Sequence, residues 1–189
     1  MAINWILETV DQSPSTNEDL MVRWRAGQLW EPIARKAITQ TSGKGRLGRS
    51  WVSHAQQALT FSVAYPFKKN ISELSGLSLA CGLAVIKGIS QASGISQEDL
   101  KKQGLGLKWP NDIYSDGQKL GGILVEVTTH SNGSASVVVG LGLNLHLPPK
   151  IEGITQAYTD LHAIAPDVKV KRNQLIAQSI VHWVPGRVV

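Results

Sequence analysis

The residues best suited to chemistry lie between Gln40 and Trp51, in the stretch QTSGKGRLGRSW. Its glycines let the backbone bend sharply and approach a ligand closely. The glycines are Gly43, Gly45 and Gly48, and the cations Lys44, Arg46 and Arg49 stand between and after them. No carboxylate occurs between Glu31 and Glu73 to neutralise these cations. A loop with successive backbone N–H groups and cationic side chains favours an anion such as phosphate or carboxylate.

The spacing of Gly43 to Gly48 also fits the dinucleotide-binding pattern G-x-G-x-x-G. That pattern requires a helix that begins within the glycines and faces the pyrophosphate. Here the chain leads instead toward a second predicted strand, Ala58 to Tyr65. We therefore do not expect a Rossmann site. The alternative for the loop is a solvated basic hairpin, which is the usual structure of such runs.

Two further patches carry polar residues in unusual places. Ser15, Thr16 and Asn17 stand at a predicted corner between a strand and a helix, where a plain helix N-cap is the alternative to a binding role. Lys108 lies in a short apolar segment before Trp109 and Pro110. Because burial of an unpaired ammonium is costly, the sequence predicts an anionic partner for this lysine.

Composition sets the class of protein. The chain has 189 residues, 42% of them hydrophobic and 17% charged, with a net charge of +5. These values are typical of a globular domain and favour anionic ligands or acidic partners. Cys81 is the single cysteine, which excludes an internal disulfide and a cysteine-based metal cage, and we expect it in the core. We recognise no signal peptide and no membrane span, so we expect a cytoplasmic protein.

The elements that must position these residues form a mixed pattern. It predicts α+β architecture in one domain, residues 1–189, with a mixed, hairpin-rich β-sheet covered by helices. Predicted strands are Trp5–Val10, Ile33–Thr39, Ala58–Tyr65, Leu105–Trp109, Ile123–Thr129 and Ser136–Leu147. Predicted helices follow Ser15, span Asn70–Gly94 and span Arg172–Trp183, with turns at Pro110–Asp112, Ser131–Ser134 and Pro185–Gly186 and an irregular Pro148–Asp167.

Glycines mark one face of the predicted strand 136–147. Gly140 and Gly142 are two residues apart, so neither places a side chain on that face. A strand loses stability with each glycine unless another backbone or a ligand must lie against it. We therefore expect that face to be in close contact with a neighbour.

Five motifs in order resemble the biotin protein ligases. The family shows a Ser-Thr-Asn corner, a glutamine before a Gly-Arg-Gly-Arg-x-Gly-Arg-x-Trp loop, and strands with Lys-Trp-Pro-Asn-Asp, Gly-Ile-Leu-Val-Glu and Gly-x-Gly-x-Asn. The matching segments here are Ser15–Asn17, Gln40 with Gly43–Trp51, Lys108–Asp112, Gly122–Glu126 and Gly140–Asn144. The resemblance covers nearly the whole chain and implies the catalytic fold shared with class II aminoacyl-tRNA synthetases.

The resemblance implies a two-step reaction. Biotin and ATP, with Mg²⁺, form biotinyl-5'-AMP, and the biotin then passes to a lysine of a biotin carboxyl carrier protein, a subunit of acetyl-CoA carboxylase. It implies catalytic roles for Lys108 and Arg46. The implied biotin-binding residues are Ser15, Thr16, Asn17, Gln40, Gly43, Lys44, Gly45, Arg46, Lys108, Gly140 and Gly142, with apolar walls around the last two lying flat against the bicycle. The implied adenylate-binding residues are Arg46, Arg49, Trp51 and Asn144. For Trp51 core packing is the alternative, and for Asn111 and Asp112 we expect turn formation.

The sequence departs from the family pattern at Lys44, where an arginine is usual, because lysine lacks the planar fork that grips an anion through two bonds. We also expect the small C-terminal β-barrel and the N-terminal DNA-binding domain to be absent, and hence no DNA binding. Three alternatives remain: a lipoate ligase, a truncated homologue that binds biotin or its adenylate with little transfer, and a basic nucleic-acid binder. Metal ligands and homodimer formation stay open.

Overall fold

The computed structural model describes residues 5–53, 57–67, 74, 76–129, 135–151, 154–166 and 171–183. The described strands are β1 (Ile6–Ser13), β2 (Ile33–Gln40), β3 (Gly43–Lys44), β4 (Ser50–Trp51), β5 (Ala58–Phe67), β6 (Gly106–Lys108), β7 (Asp112–Ser115), β8 (Gln118–Thr129) and β9 (Ala135–Asn144). The described helices are α1 (Thr16–Arg25), α2 (Leu77–Ser93), α3 (Gln97–Lys102), α4 (Leu161–Ile164) and α5 (Arg172–Val181), with a 3₁₀ turn at Arg46–Gly48.

The chain divides into two compact units. The first comprises Met1–Ser75 with Leu124–Gly142, and the second comprises Gly76–Ile123 with Leu143–Val189. In the first unit the strand order is β1-β2-β5-β9-β8, with β1 parallel and β5 antiparallel to β2. In the second unit the order is β8-β7-β6, and both pairings are antiparallel. Mixed strands with covering helices confirm the predicted α+β class.

Helix α1 begins where the sequence predicted a helix start. Ser15 is its N-cap, and the serine hydroxyl accepts a hydrogen bond from the N–H of Glu18. Glu18 and Asp19 place negative charge in the first turn, where the helix dipole is positive. Leu20 and Met21 are buried in a core with residues of β2, β5 and β9. Capping and core burial together fix the corner that precedes α1.

Charged residues hold α1 against β1 and β2. Arg35 of β2 donates to Glu8 and to Asp19, each at 2.8 Å, and Arg23 of α1 donates to the same Glu8 at 2.7 Å. Burial raises the pKa of Glu8, but the hydrogen bonds from the two arginines outweigh burial and leave that pKa lowered. Ser13 adds a bond to Asp19 at 2.8 Å. The cluster restrains the helix that carries the polar corner.

In the second unit, α2 packs on α5. Gly88 allows the close approach, because a Cβ there would lie 2.6 Å from Ser179 Oγ. Trp183 Nε1 donates to the carbonyl of Cys81 at 3.1 Å. The cysteine is buried as predicted, and burial raises its pKa to about 12. Gly94 ends α2 in the left-handed conformation, as the sequence indicated.

Some predicted boundaries differ from those observed. Helix α2 begins at Leu77, and the predicted capping residues Asn70–Glu73 lie outside the described residues. Strand β5 continues through Pro66, because a proline removes one N–H donor without forbidding an extended backbone. The predicted turns Ser131–Ser134 and Pro185–Gly186 also lie outside the described residues.

Short elements were missed by the sequence reading. Helix α3 buries only Leu100, so it shows no apolar periodicity. Strand β7 begins at Asp112, inside the predicted turn, and α4 lies in the stretch expected to be irregular. Across the described part of the chain, none of the helices has the length and apolar character needed to cross a membrane.

Candidate functional site

The glycine-rich loop is a small hairpin in the first unit. Strand β3 pairs antiparallel with β4, so that Gly43 faces Trp51 and Lys44 faces Ser50. The 3₁₀ turn between them contains Leu47, whose φ of 56° is left-handed, an uncommon conformation for a residue other than glycine. The loop leads into a strand and not a helix, which confirms that the glycine pattern is not a Rossmann fingerprint.

A cleft of about 900 Å³ opens along this loop. It is lined by residues 40–53 together with residues 124–126 of β8. Arg46 and Arg49 are exposed at this cleft, and Glu126 brings a carboxylate to it. The cleft therefore combines glycine-rich backbone, positive side chains and one acidic group within a single unit.

The prediction that the loop cations lack neutralising carboxylates is wrong for Lys44. Its ammonium forms an ion pair with Glu18 in the first turn of α1. The hydrogen bond from Lys44 to Glu18 raises the pKa of the lysine. Glu18 lies 26 residues from Lys44 in the sequence, so the residues next to the loop in the chain give no sign of it. The Glu18 carboxylate therefore competes with any other anion for the Lys44 ammonium.

The Ser-Thr-Asn corner forms a buried hydrogen-bond network with β2, β5 and β8. Thr16 donates its backbone N–H to Gln40 Oε1 at 2.8 Å, and its hydroxyl lies 2.6 Å from that of Ser62. Asn17 accepts from Ser62 Oγ and donates to Glu126 Oε2 at 2.8 Å. The network brings three predicted biotin-binding residues together. Gln40 also lines the cleft, so it joins the neutral corner to the basic loop.

The amide of Gln40 has a fixed orientation. A backbone N–H can only donate, so the side-chain atom that faces Thr16 must be Oε1. The amide nitrogen then lies beside Gly43, where a Cβ would approach it to 3.0 Å. Ser15, by contrast, uses its hydroxyl as the cap of α1, which is the structural alternative that the sequence left open.

The face of β9 at Gly140 and Gly142 is covered by side chains. A Cβ at Gly140 would lie 3.0 Å from Asn17 Cγ, and one at Gly142 would lie 2.5 Å from Trp51 Cζ2. The sequence predicted close contact on this face, and the Asn17 amide and the Trp51 indole make it. These two side chains fill the space in which apolar walls were expected to lie flat against biotin. The half-buried Trp51 has the packing role that the sequence offered as its alternative.

Lys108 lies in the second unit. The prediction that its ammonium is buried and therefore needs an anionic partner is wrong. It ends β6 with an exposed side chain, and its ammonium stands 4.7 Å from the ring centroid of Tyr114. Solvent and the aromatic face satisfy the charge, so no buried anion is required. No carboxylate among the described residues forms an ion pair with it.

The other second-unit residues of the motifs bond within their own unit. Asn144 is buried, and its Nδ2 donates to the carbonyls of Thr159 at 2.9 Å and Lys119 at 3.3 Å. Asn111 donates to the carbonyl of Ile123 at 3.0 Å, and Asp112 pairs with Lys119 at 2.8 Å. Asn111 lies in a turn, as predicted, whereas Asp112 begins β7, so the predicted turn role is wrong for Asp112.

The described residues contain no cluster of three or more histidine, cysteine, aspartate or glutamate side chains placed to hold a metal ion. Glu126 is the acidic side chain that lines the cleft. Mg²⁺ commonly binds through one or two carboxylates, several waters and substrate phosphates, and it does not need a protein cage. The site therefore fits an ion that arrives with a polyphosphate.

Sequence reasoning missed Glu18 and Ser62 and gave Glu126 only as part of a strand motif. All three contact predicted site residues from elements distant in the chain. Ser62 alternates with apolar neighbours in a strand of ordinary pattern, which gave no signal. Glu126 ends an apolar run on β8, and an acidic residue there was the one available clue.

Comparison with known proteins finds similarity over the part of the chain that carries these motifs. Residues 9–144 match the model of the biotin/lipoate A/B protein ligase family. The chain is 34% identical over 185 residues to the biotin–[acetyl-CoA-carboxylase] ligase of Mycobacterium tuberculosis, which covers 97% of this chain and 64% of that protein. It is 32% identical to the bifunctional ligase/repressor BirA of Escherichia coli, over 93% of this chain and 50% of that protein. The chain thus spans between half and two thirds of the length of these relatives.

Solved structures show the same fold. Biotin protein ligase from Leishmania major in complex with biotin superposes with a TM-score of 0.77 at 25% identity, covering 94% of this chain and 72% of that chain. The ligase from Aquifex aeolicus in complex with biotin and ATP gives a TM-score of 0.72 at 28% identity, over 94% and 68%.

Proposed function

The chain belongs to the biotin/lipoate A/B protein ligase family, and from that premise we propose that it is a biotin protein ligase. The proposed reaction activates biotin with ATP to biotinyl-5'-AMP and pyrophosphate. The biotin then passes to one lysine of a biotin carboxyl carrier protein. Support comes from the names of the similar ligases and from the ligands in the similar structures.

The observation that carries the proposal is the chemistry of the first-unit cleft. The glycines and cations of the loop line this cleft together with the neutral amide of Gln40. Gln40 also accepts a hydrogen bond from Thr16, so it connects the cleft to the buried polar corner. Biotin has a matching distribution, with a polar neutral ureido ring at one end and a carboxylate at the other. A cleft with both characters suits such a molecule better than it suits a purely anionic ligand.

In the first half-reaction the biotin carboxylate attacks the α-phosphorus of ATP, and pyrophosphate leaves. The carboxylate is already ionised, so no general base is needed. The two reactants are both anions, so the protein must hold them together with fixed positive charge. In the first unit we assign this task to Arg46, with Lys44 and Arg49 assisting and the loop glycines giving backbone access. The catalytic role of Lys108 in the second unit, and the adenylate-binding roles of Trp51 and of Asn144, stay predictions that rest on the family resemblance.

In the second half-reaction the ε-amine of the acceptor lysine attacks the acyl carbon of the anhydride, and AMP leaves. Mg²⁺ would come with ATP and offset phosphate charge, with Glu126 as the nearby acidic group. We propose a cytoplasmic location, because ATP and the acceptor carboxylase subunit are found there. The magnesium requirement, the location and a homodimeric state stay predictions that rest on the family resemblance.

Pyrophosphate release followed by acceptor labelling tests the proposal. The protein is incubated with ATP, Mg²⁺ and biotin, and then with a biotin carboxyl carrier domain. We expect biotin-dependent pyrophosphate release and labelled acceptor. The matched control is the same acceptor with its target lysine replaced by arginine, which must stay unlabelled. Pyrophosphate release without labelling would favour the binding homologue over the ligase.

Lipoate replaces biotin in a parallel reaction, because the family includes lipoate ligases. A biotin ligase should release pyrophosphate with biotin and give only background release with lipoate. The reverse result would overturn the choice of substrate. Absence of release with either acid would overturn the proposed activity.

A further inference from the structure

Ser62 is a buried hydroxyl at the centre of the polar corner. It lies on β5, only 1% of it is exposed, and it faces two residues at once. Its oxygen is 2.6 Å from Thr16 Oγ1 and 2.5 Å from Asn17 Oδ1. Both partners are 3% exposed or less. Ser62, Thr16 and Asn17 all lie behind the cleft lining, which Gln40 and Glu126, the partners of Thr16 and Asn17, help to form.

The donors and acceptors of this network allow one consistent arrangement of protons. The backbone carbonyl of Leu124 can only accept, so the Asn17 atom that faces it and Glu126 is the NH₂ group, and the atom facing Ser62 is Oδ1. Ser62 must therefore donate its single proton to Asn17. The short contact between the two hydroxyls then requires Thr16 to donate to Ser62. Gln40 Oε1 accepts from the Thr16 backbone N–H at 2.8 Å, and at 3.0 Å it is a second, more distant acceptor for the Thr16 hydroxyl.

This arrangement fixes the Thr16 hydroxyl as a donor toward Ser62. Hydroxyl oxygens accept as well as donate, so the lone pairs of that hydroxyl can accept from the N–H group of a ligand that enters the corner, where Thr16 is 2% exposed. The same bonds hold the Asn17 amide against Glu126. Without Ser62 both side chains would lose a buried partner, and the Thr16 hydroxyl would turn to Gln40 Oε1, the next acceptor within reach.

We propose that Ser62 is a positioning residue for biotin, which acts through Thr16 and Asn17 by fixing their rotamers and proton positions. The inference rests on the proposed function, because it assigns a ligand to the corner. A purely structural role would be to satisfy a buried strand. Thr60, two residues earlier on the same strand, has that simpler role, since its hydroxyl bonds to the backbone carbonyl of Ala37 at 3.3 Å.

The test compares Ser62→Ala with Thr60→Val, because each removes one buried hydroxyl from β5. Biotin affinity is measured by calorimetry and the KM for ATP by pyrophosphate release. For Ser62→Ala we expect biotin affinity about tenfold weaker, with the KM for ATP within twofold of wild type. For Thr60→Val we expect both values within twofold. Urea unfolding of each variant measures the shared cost of losing a buried hydroxyl.

Ser62→Cys keeps the size of the side chain with a weaker donor, so it gives a second, folded variant if alanine proves unstable. We expect an intermediate loss of biotin affinity. A double-mutant cycle with Thr16→Val tests the route of the effect. If Ser62 acts through Thr16, Ser62→Ala should weaken biotin affinity by only about threefold or less in the Thr16→Val background, instead of tenfold.

The outcomes separate the two claims. A wild-type protein that does not bind biotin overturns the proposed function and this inference with it. A wild-type protein that binds biotin, together with Ser62 variants of unchanged affinity, overturns only the inference. Equal losses of biotin affinity in Ser62→Ala and Thr60→Val would also overturn it, because they would reduce Ser62 to a structural hydroxyl.

Discussion

Replacing Glu18 by glutamine should tighten the binding of the adenylate while it destabilises the fold. Lys44 is paired with Glu18. That carboxylate competes with an anion in the cleft for the ammonium. Glutamine removes the competing charge and leaves the loop sequence unchanged. The two effects have opposite signs, which makes this a sharp test of the ion pair.

The size of the effect follows from exposure. The Lys44 and Glu18 side chains are 49% and 40% exposed, so the pair is a surface one, with an expected value of about 0.5 kcal/mol. Its loss should improve adenylate affinity roughly twofold, since 1.4 kcal/mol corresponds to about tenfold. Glu18 also lies in the first turn of α1, where a negative charge contributes about 0.3–1 kcal/mol. Stability should therefore fall by about 1 kcal/mol in total.

The affinity is measured by calorimetry with a non-hydrolysable acyl-sulfamate analogue of biotinyl-5'-AMP, and the stability by urea unfolding. Lys44→Ala in the Glu18→Gln background should abolish the gain. The gain should also fade in about 1 M salt, which screens exposed charges. The pKa of Lys44 is raised, so the stability from the pair is present below the ordinary lysine value of 10.5 and is lost as pH rises through the folded value. Weaker or unchanged binding by Glu18→Gln at low salt would refute the reasoning.

Three further variants or treatments test other contacts. Gly142→Ala should cost about 1–3 kcal/mol of unfolding free energy, because its Cβ would lie 2.5 Å from Trp51 Cζ2, whereas Gly106→Ala, with nothing within 4 Å, should be close to neutral; equal urea midpoints would contradict the overlap. Cys81 is buried with a pKa near 12, so a thiol reagent at pH 8 should modify it only as the protein unfolds, and rapid labelling of the native protein would show that the site is open. Lys108→Ala should slow pyrophosphate release on the order of a hundredfold with an unchanged unfolding midpoint, because the side chain is exposed; release at the wild-type rate would remove its catalytic role.

Local chemistry made several elements readable from the sequence. Ser15 before acidic residues predicts the start of α1, because capping and the helix dipole act within one turn. Gly94 predicts the end of α2, because glycine adopts the left-handed conformation at low cost. The loop was excluded as a dinucleotide site because the chain that follows it has the pattern of a strand. The five motifs predicted the family, which the comparisons confirm.

Tertiary structure decided which partners the site residues have. The sequence treated the loop cations as lacking carboxylates, but α1 brings Glu18 to Lys44 from 26 residues away. The sequence assigned Lys108 a buried charge, but the end of β6 is exposed, and a short apolar run cannot distinguish an exposed strand end from a buried one. Exposure depends on which strands flank the segment.

Strand register decided the rest. Ser62 reaches Thr16 across 46 residues, and Asn17 reaches Glu126 across 109. Gly140 and Gly142 predicted a close neighbour on one face of β9. Only the packing of α1 and the loop hairpin showed that this neighbour is Asn17 at Gly140 and Trp51 at Gly142. Hydrogen bonds and van der Waals contacts act over a few ångströms, so their partners are set by how the strands and α1 pack and not by proximity along the chain.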